Sequence, residues 1–286
     1  MIFHGKIQKK AIITDFMSQR KFWTIGQLDA TGVRGPHEKE LEDISKVKYP
    51  LFLNMNMDAL KDIVNNELGG KIENIGFSEE WTISIEMFPE VNVHMVYSYF
   101  GNEFGNGIEA EFKFYFSGKR VYWVPGEDSA TFIDIVMDFI QRKIKNQEPF
   151  EQNYNNKTEL MESVLKQRSE PFILLKEQDR ENLANFLGAK VWKVTNGWHI
   201  KKEFFPEIFI EIIWNEKDGL DIKFTGDNLS NNIDSYHIEF VGIFLINHIL
   251  RFITVNNMDE NLPDICYKMF SRYYTKNIGY WDHRVR

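Results

Sequence analysis

The chain has 286 residues, of which 43% are hydrophobic and 15% are aromatic. This composition excludes an intrinsically disordered chain and is typical of one large or two medium-sized folded domains. The formal net charge of −8 disfavours non-specific binding to nucleic acid, although it is compatible with a local basic face. The single cysteine, Cys266, excludes an intrachain disulfide bond and favours a reducing compartment.

The sequence carries no targeting signal that we recognise. Residues 1–10 lack the apolar run followed by small residues that marks a signal peptide. The longest apolar run, residues 238–253, is interrupted by polar side chains and is shorter than the roughly 18–20 residues of a membrane span. We therefore expect a cytoplasmic protein that does not enter a membrane.

An N-terminal extension, residues 1–47, precedes the main body of the chain. Apolar residues at Ile7, 11–13 and 22–23 predict one or two additional strands. Residues 29–37 are rich in turn formers and predict a loop, and the charged residues 38–48 predict a solvated connector.

One stretch of the sequence occurs twice, at residues 81–90 and 198–207. Six residue types recur at the same offset, namely Trp81, Ile83, Glu86, Phe88, Pro89 and Glu90, which match Trp198, Ile200, Glu203, Phe205, Pro206 and Glu207. Each copy is preceded by a short apolar run and a helix. It is followed by a strand that begins at a glycine and then by a long apolar helix. This order of flanking segments indicates an internal duplication.

The first repeat is assigned to residues 48–146. Its closing helix, capped by Asp128 or Ser129, carries a stripe of apolar residues between Phe132 and Ile144. A helix is also predicted at residues 58–68. The predicted strands are at 51–53, 71–77, 81–88, 91–97, 108–116 and 121–124, with a hairpin loop at 101–107.

The second repeat, residues 169–255, follows a polar linker at 147–168 in which residues 160–165 predict a short helix. It keeps the order of the first repeat, beginning with a strand at 171–174, but polar residues 228–232 replace the last strand. Its final helix begins near Ser235 and is apolar nearly all round, which predicts burial on several sides.

A strand, a helix, an antiparallel meander and a long helix, present twice, predict an α+β fold built from an internal duplication. This order resembles the duplicated saddle of the TATA-box-binding protein in topology. Gripping the minor groove requires a cationic concave face, and this chain is acidic overall. The resemblance therefore implies an arrangement of elements and transfers no functional residues.

Candidate catalytic residues each have a structural interpretation that we prefer. Glu86 and Glu90, with Glu203 and Glu207, could act as paired carboxylates, but their repetition favours a structural role in each hairpin. His248 lies within an apolar helix and is expected to be a hydrogen-bonded core residue. The sequence contains no nucleophile elbow, P-loop or zinc signature, so we predict no catalytic residue, cofactor or metal.

The C-terminal tail, residues 256–286, interleaves basic and aromatic side chains, a pattern that can grip an acidic partner or stack on bases. The candidate partner-binding residues are Arg272, Tyr273, Tyr274, Lys276, Tyr280, Trp281 and Arg284. The alternative is that these aromatic side chains pack back onto the body of the protein. We favour this alternative, because exposed aromatic side chains are uncommon where they have no function.

Three classes of function remain open from the sequence. The preferred class is a non-catalytic protein-interaction module that binds a partner protein, such as an immunity protein, an inhibitor or an antagonist of microbial origin. The second is a nucleic-acid or nucleotide binder that uses the concave sheet or the basic tail. The third is an enzyme with its site between the repeats.

Overall fold

The computed structural model describes residues 21–31, 35–101, 109–258 and 261–277. The strands expected at Ile7 and 11–13, most of the predicted loop 101–107, and the tail residues Tyr280, Trp281 and Arg284 lie outside these ranges. The described chain is an α+β fold that contains two four-stranded antiparallel sheets.

Both sheets are meanders in which each strand pairs with the next one along the chain. The first sheet consists of β1 (Lys71–Glu73), β2 (Trp81–Phe88), β3 (Val91–Tyr99) and β4 (Ala110–Ser117). The second sheet consists of β5 (Lys190–Val194), β6 (Gly197–Phe205), β7 (Ile208–Asn215) and β8 (Gly219–Thr225).

Helices connect and cover the two sheets. The helices before the second sheet are α1 (Ile25–Leu28), α2 (Pro36–Lys48), α3 (Met57–Asp62, continued by a π-helical turn at Ile63–Glu67), α4 (Gly126–Ile144), α5 (Glu159–Arg168) and α6 (Arg180–Leu187). Those after it are α7 (Leu229–Asn232), α8 (Ser235–Asn256), α9 (Asp264–Lys268) and α10 (Arg272–Asn277).

The two sheets share the same local irregularities. Strands β2 and β6 each carry a bulge just before the turn to the next strand. Each turn ends on a glutamate with a left-handed backbone, Glu90 at φ 67° and Glu207 at φ 61°. In each sheet a later glycine lies directly against that glutamate. A Cβ placed on Gly118 would lie 2.0 Å from the Glu90 carbonyl oxygen, and one placed on Gly226 would lie 1.9 Å from the Glu207 carbonyl oxygen. The matched residues of the sequence repeat therefore occupy matched conformations.

Three predicted strands are wrong, because the structure forms 3₁₀-helices there. The runs 51–53, 171–174 and 121–124 overlap the 3₁₀-helices Tyr49–Phe52, Glu170–Leu174 and Val121–Trp123. The first two contain a proline at the start of the helix, where its fixed φ angle and missing N–H favour a helical turn. Apolar runs this short do not distinguish a strand from a helical turn by their periodicity.

The predicted connector at 38–48 is also wrong, because the whole of that segment belongs to helix α2. Leu41 and Ile44 are buried on one side of α2, and the Glu38 carboxylate accepts a hydrogen bond from the Gly35 N–H at 2.9 Å. The helix predicted at 160–165 is confirmed within α5. The charged residues of 38–48 therefore cover one face of a packed helix.

Helix α8 lies at the centre of the described fold, as its all-round apolar sequence predicts. It packs against α4, α5, α6 and α9, and a Cβ at Gly242 would lie 2.4 Å from Ile222 of β8, so the glycine permits close packing on the second sheet. The helix is long and apolar enough to cross a membrane by length and composition alone, but 89% of its most apolar stretch is buried inside the fold. Such burial is typical of a core helix in a soluble protein.

Candidate functional site: a groove beside strand β4

A groove of about 540 Å³ runs between helix α2 and strand β4. The apolar part of its lining comes from three neighbouring elements, through Ile25, Leu41, Ala110, Phe112 and Phe114. A cavity of this size with a largely apolar lining is typical of binding sites for small molecules or for a few side chains of a larger partner.

Strand β4 is the last strand of the first sheet, and two contacts close parts of its outer edge. Phe116 exchanges two backbone hydrogen bonds with Trp23, at 2.8 and 2.9 Å. The Phe112 N–H donates to the Ser45 hydroxyl of α2 at 2.8 Å. Because alternate residues of a strand direct their backbone groups to the same side, Phe114 presents its N–H and C=O to the groove between these two closures.

Charged side chains of both signs surround the apolar floor of the groove. Glu38, Glu42 and Lys46 line it from α2, and Glu111 and Lys113 line it from β4. The Lys113 ammonium lies 2.7 Å from the Glu111 carboxylate, and this hydrogen bond raises the pKa of Lys113. An apolar centre with a polar rim is the usual construction of a protein–protein contact surface.

The described tail residues divide between the surface and the core. Arg272 and Lys276 are exposed on α10. Tyr273 packs edge-on against Trp23 with ring centroids 4.7 Å apart, and Tyr274 is only 7% exposed and stacks on Phe270. The aromatic side chains of the described tail therefore pack onto the body, whereas a partner-binding role for the tail stays a prediction.

The repeated glutamates have matching contacts within their hairpins. The Glu86 carboxylate accepts a hydrogen bond from the Glu90 N–H at 3.2 Å, and the Glu203 carboxylate accepts one from the Glu207 N–H at 2.9 Å. The Glu90 carboxylate also lies 3.2 Å from the Arg120 guanidinium. These contacts fix the two turns, which agrees with the structural role that the repetition favours.

A histidine between two serines, which the sequence does not single out, lies on the first sheet. His94 Nδ1 is 2.7 Å from the Ser84 hydroxyl and its Nε2 is 2.8 Å from the Ser117 hydroxyl. The three residues come from neighbouring strands, but their exposed fractions are only 3% or less. A nucleophile must reach its substrate, so we interpret this group as part of a buried polar network that links the three strands.

A second polar network lies inside the fold between α4 and α8. The fully buried Arg251 donates to the Asp128 carboxylate at 2.7 Å and to the Met269 carbonyl at 2.6 Å. Asn247 donates to the same carboxylate and accepts from Arg168. The prediction that Asp128 or Ser129 caps α4 is wrong, because Pro125 occupies the N-cap position and Asp128 instead pairs with Arg251 in the core.

His248 is a core residue, as predicted, but it is hydrogen-bonded on one side only. Its Nδ1 lies 3.4 Å from the Arg251 guanidinium, and its Nε2 has no hydrogen-bond partner among the described residues. The residue joins parts of the chain that are far apart in sequence. Its ring is sandwiched between Phe88 of β2 and Phe186 of α6, with centroids 4.0 and 4.3 Å away. Complete burial, followed by the charge of Arg251, lowers the pKa of His248 well below its usual value. Burial likewise raises the pKa of the Cys266 thiol to about 11, so this cysteine is a poor nucleophile at neutral pH.

Comparison with known protein families, curated proteins and solved structures finds no match for this chain.

Proposed function

We propose that this chain is a non-catalytic protein-binding protein whose groove beside β4 captures an extended segment of a partner protein. The observation that supports the proposal is the position of Phe114, whose outward N–H and C=O face an apolar groove between two closed stretches of the strand edge. A peptide strand can pair with such an edge through its main chain while its alternate side chains enter the groove.

The dimensions of the groove set the size of the captured segment. The edge from Phe112 to Phe116 spans four residue steps, which is about 14 Å in an antiparallel strand. An incoming strand would place two or three residues opposite this edge, with one or two side chains directed toward Leu41 and Ile25. So short a pairing provides modest affinity by itself, and the remainder of the partner would contact the charged rim.

The class of protein that we propose is an immunity protein, an inhibitor or an antagonist of the microbial cytoplasm. The acidic net charge suits binding to a basic partner, and the buried positions of Ser84, His94 and Cys266 favour a binding role over catalysis. We also infer that a gene duplication produced the two sheets, since the repeated residues share bulges and turn conformations. The likeness to the saddle of the TATA-box-binding protein stays a prediction.

Selection of peptides from a random display library on the full chain tests the proposed binding mode. Selected peptides are then titrated into the wild type and into Lys46→Trp, which places an indole in the groove. The matched control is Lys39→Trp, because Lys39 is exposed on the same helix and does not line the groove. Amide hydrogen exchange of Phe114 with and without peptide reports whether β4 takes part.

We expect the selected peptides to bind the wild type and Lys39→Trp equally, to bind Lys46→Trp at least tenfold more weakly, and to slow exchange of the Phe114 amide. Peptides that bind all three proteins alike, or that leave the β4 amides unchanged, would show that the groove is not the binding site.

A further inference from the structure

A cluster of two carboxylates and an imidazole lies between α4 and α8, away from the groove. Asp134 and Asp138 are four residues apart on α4, so they share one face of the helix. His237 projects from the first turn of α8. One potential ligand atom from each of these three side chains lies within 4.8 Å of the other two, and all three residues are half-buried.

A further carboxylate orients the imidazole. His237 Nδ1 lies 2.8 Å from Asp234 Oδ2, and this hydrogen bond raises the pKa of His237. Asp234 is itself fixed as the cap of α8, because its Oδ1 accepts hydrogen bonds from the Tyr236 and His237 N–H groups at 2.9 and 2.8 Å. With a proton on Nδ1, the lone pair of the neutral ring is on Nε2. Metal-binding histidines are typically held by a carboxylate in this way.

An unsatisfied buried oxygen provides an independent sign of a ligand. A cavity of about 130 Å³ lies beside the cluster and is lined by Asp138, His237 and Asn232, among others. Asn232 is 2% exposed, yet its Oδ1 has no hydrogen-bond partner among the residues that the structure describes. A buried carbonyl oxygen without a partner is unfavourable, and the cavity is large enough for several water molecules or a hydrated ion.

The charges around the cluster leave an excess of negative charge. Asp134, Asp138 and Asp234 carry three negative charges, and the ammonium of Lys48 contacts one oxygen of Asp138. Burial, followed by repulsion from Asp138, raises the pKa of Asp134. Arg142 also lines the cavity, but its terminal nitrogens donate to the segment that follows α4. Counting Lys48 and Arg142 against the three carboxylates leaves a local charge of about −1 with a neutral imidazole, which attracts a cation to the cluster.

We propose that Asp134, Asp138 and His237 bind a divalent transition-metal cation, Mn²⁺ or Zn²⁺, with the Asn232 amide oxygen and water from the cavity completing its coordination. Carboxylate oxygens together with an imidazole nitrogen suit these ions. Ligands about 2.1 Å from a common ion lie about 3–4 Å apart, so side-chain shifts of about 1 Å bring the three groups to bonding distance. The ion ties the start of α8 to the middle of α4.

Titration calorimetry of the full chain with Mn²⁺ and, separately, Zn²⁺ tests the proposal. We expect one ion per chain, with affinity at least tenfold weaker in Asp134→Asn and in His237→Gln. The matched control is Asp58→Asn, because Asp58 and Asp62 on α3 have the same four-residue spacing with no histidine placed beside them among the described residues. That variant is expected to bind like the wild type.

A gain of metal affinity provides a second test, because a charge network that binds no metal does not predict such a gain. Lys48→Met removes the ammonium that competes for Asp138, and we expect it to bind the ion at least tenfold more tightly than the wild type. Electron paramagnetic resonance of bound Mn²⁺ is expected to show nitrogen coupling that disappears in His237→Gln.

Several results would overturn the proposal: no binding by the wild type, equal weakening in Asp58→Asn, or no nitrogen coupling to Mn²⁺. Circular dichroism establishes that each variant is folded. Should the Asp134 or His237 variant fail to fold, the Lys48→Met titration and the wild-type spectrum still decide the outcome.

Discussion

Acidification is expected to destabilise this protein through His248. The ring is completely buried between Phe88 and Phe186. The charged groups that act on it, Arg251, Lys202 and Arg120, are all cationic and disfavour its protonation. The folded state therefore keeps this imidazole neutral at pH values where the unfolded chain binds a proton.

The size of the effect follows from the difference in proton binding. In the unfolded chain His248 titrates near pH 6.5, whereas its folded pKa is well below that value. Below pH 6.5 the unfolded state thus binds more protons, and the free energy of unfolding falls by about 1.4 kcal/mol for each further pH unit until the folded pKa is reached. Integrated from pH 7.5 to 5.5, this one group costs about 1.4 kcal/mol.

Urea denaturation of the wild type and of His248→Phe at both pH values measures this contribution. Phenylalanine retains the stacked ring but does not titrate. Titrating groups that both proteins contain contribute equally to the two losses of stability, so their effects cancel when one loss is subtracted from the other. One such group is His237, whose raised pKa stabilises the folded state on acidification. We expect the wild type to lose about 1.4 kcal/mol more than the variant. Equal losses in the two proteins would refute the reasoning.

Four further substitutions are each expected to lower the free energy of unfolding measured in urea. Ser45→Ala leaves the Phe112 N–H without its acceptor and costs about 1–3 kcal/mol; an unchanged midpoint would contradict this. Gly118→Ala and Gly226→Ala each place a Cβ against a carbonyl oxygen at positive φ and cost about 1–3 kcal/mol, so a loss in only one of them would contradict the equivalence of the two sheets. Asp128→Ala leaves a buried guanidinium without its counter-ion and costs about 3–5 kcal/mol. The double variant Asp128→Ala/Arg251→Met should recover part of this loss, because it removes the unpaired buried charge. A double variant no more stable than Asp128→Ala would argue against a paired charge.

The sequence predicts the elements whose signal is local and long. Strand β2 begins and ends where the alternation of Trp81, Ile83, Ile85 and Met87 predicts, and α8 begins at the predicted Ser235. Each of these segments repeats its apolar residues over several periods, so tertiary contacts reinforce the local preference.

The errors concern signals that are short or that depend on distant residues. The runs at 51–53 and 121–124 are too brief for a period to distinguish a strand from a helical turn. The core position of Asp128 depends on Arg251, 123 residues away, and the closed part of the β4 edge depends on Ser45, 67 residues from Phe112. Single-sequence patterns contain no information about such pairings, which is why the groove beside β4 is not predicted.

The central position of α8 has a consequence for biosynthesis. Translation proceeds from the N-terminus, so β2 and its Phe88 leave the ribosome roughly 160 residues before the histidine against which that ring stacks. At the usual elongation rates this interval lasts on the order of ten seconds. Until α8 is made, Phe88 lacks the His248 ring on which it stacks, and a chaperone that shields this side chain during that interval would increase the yield of native protein.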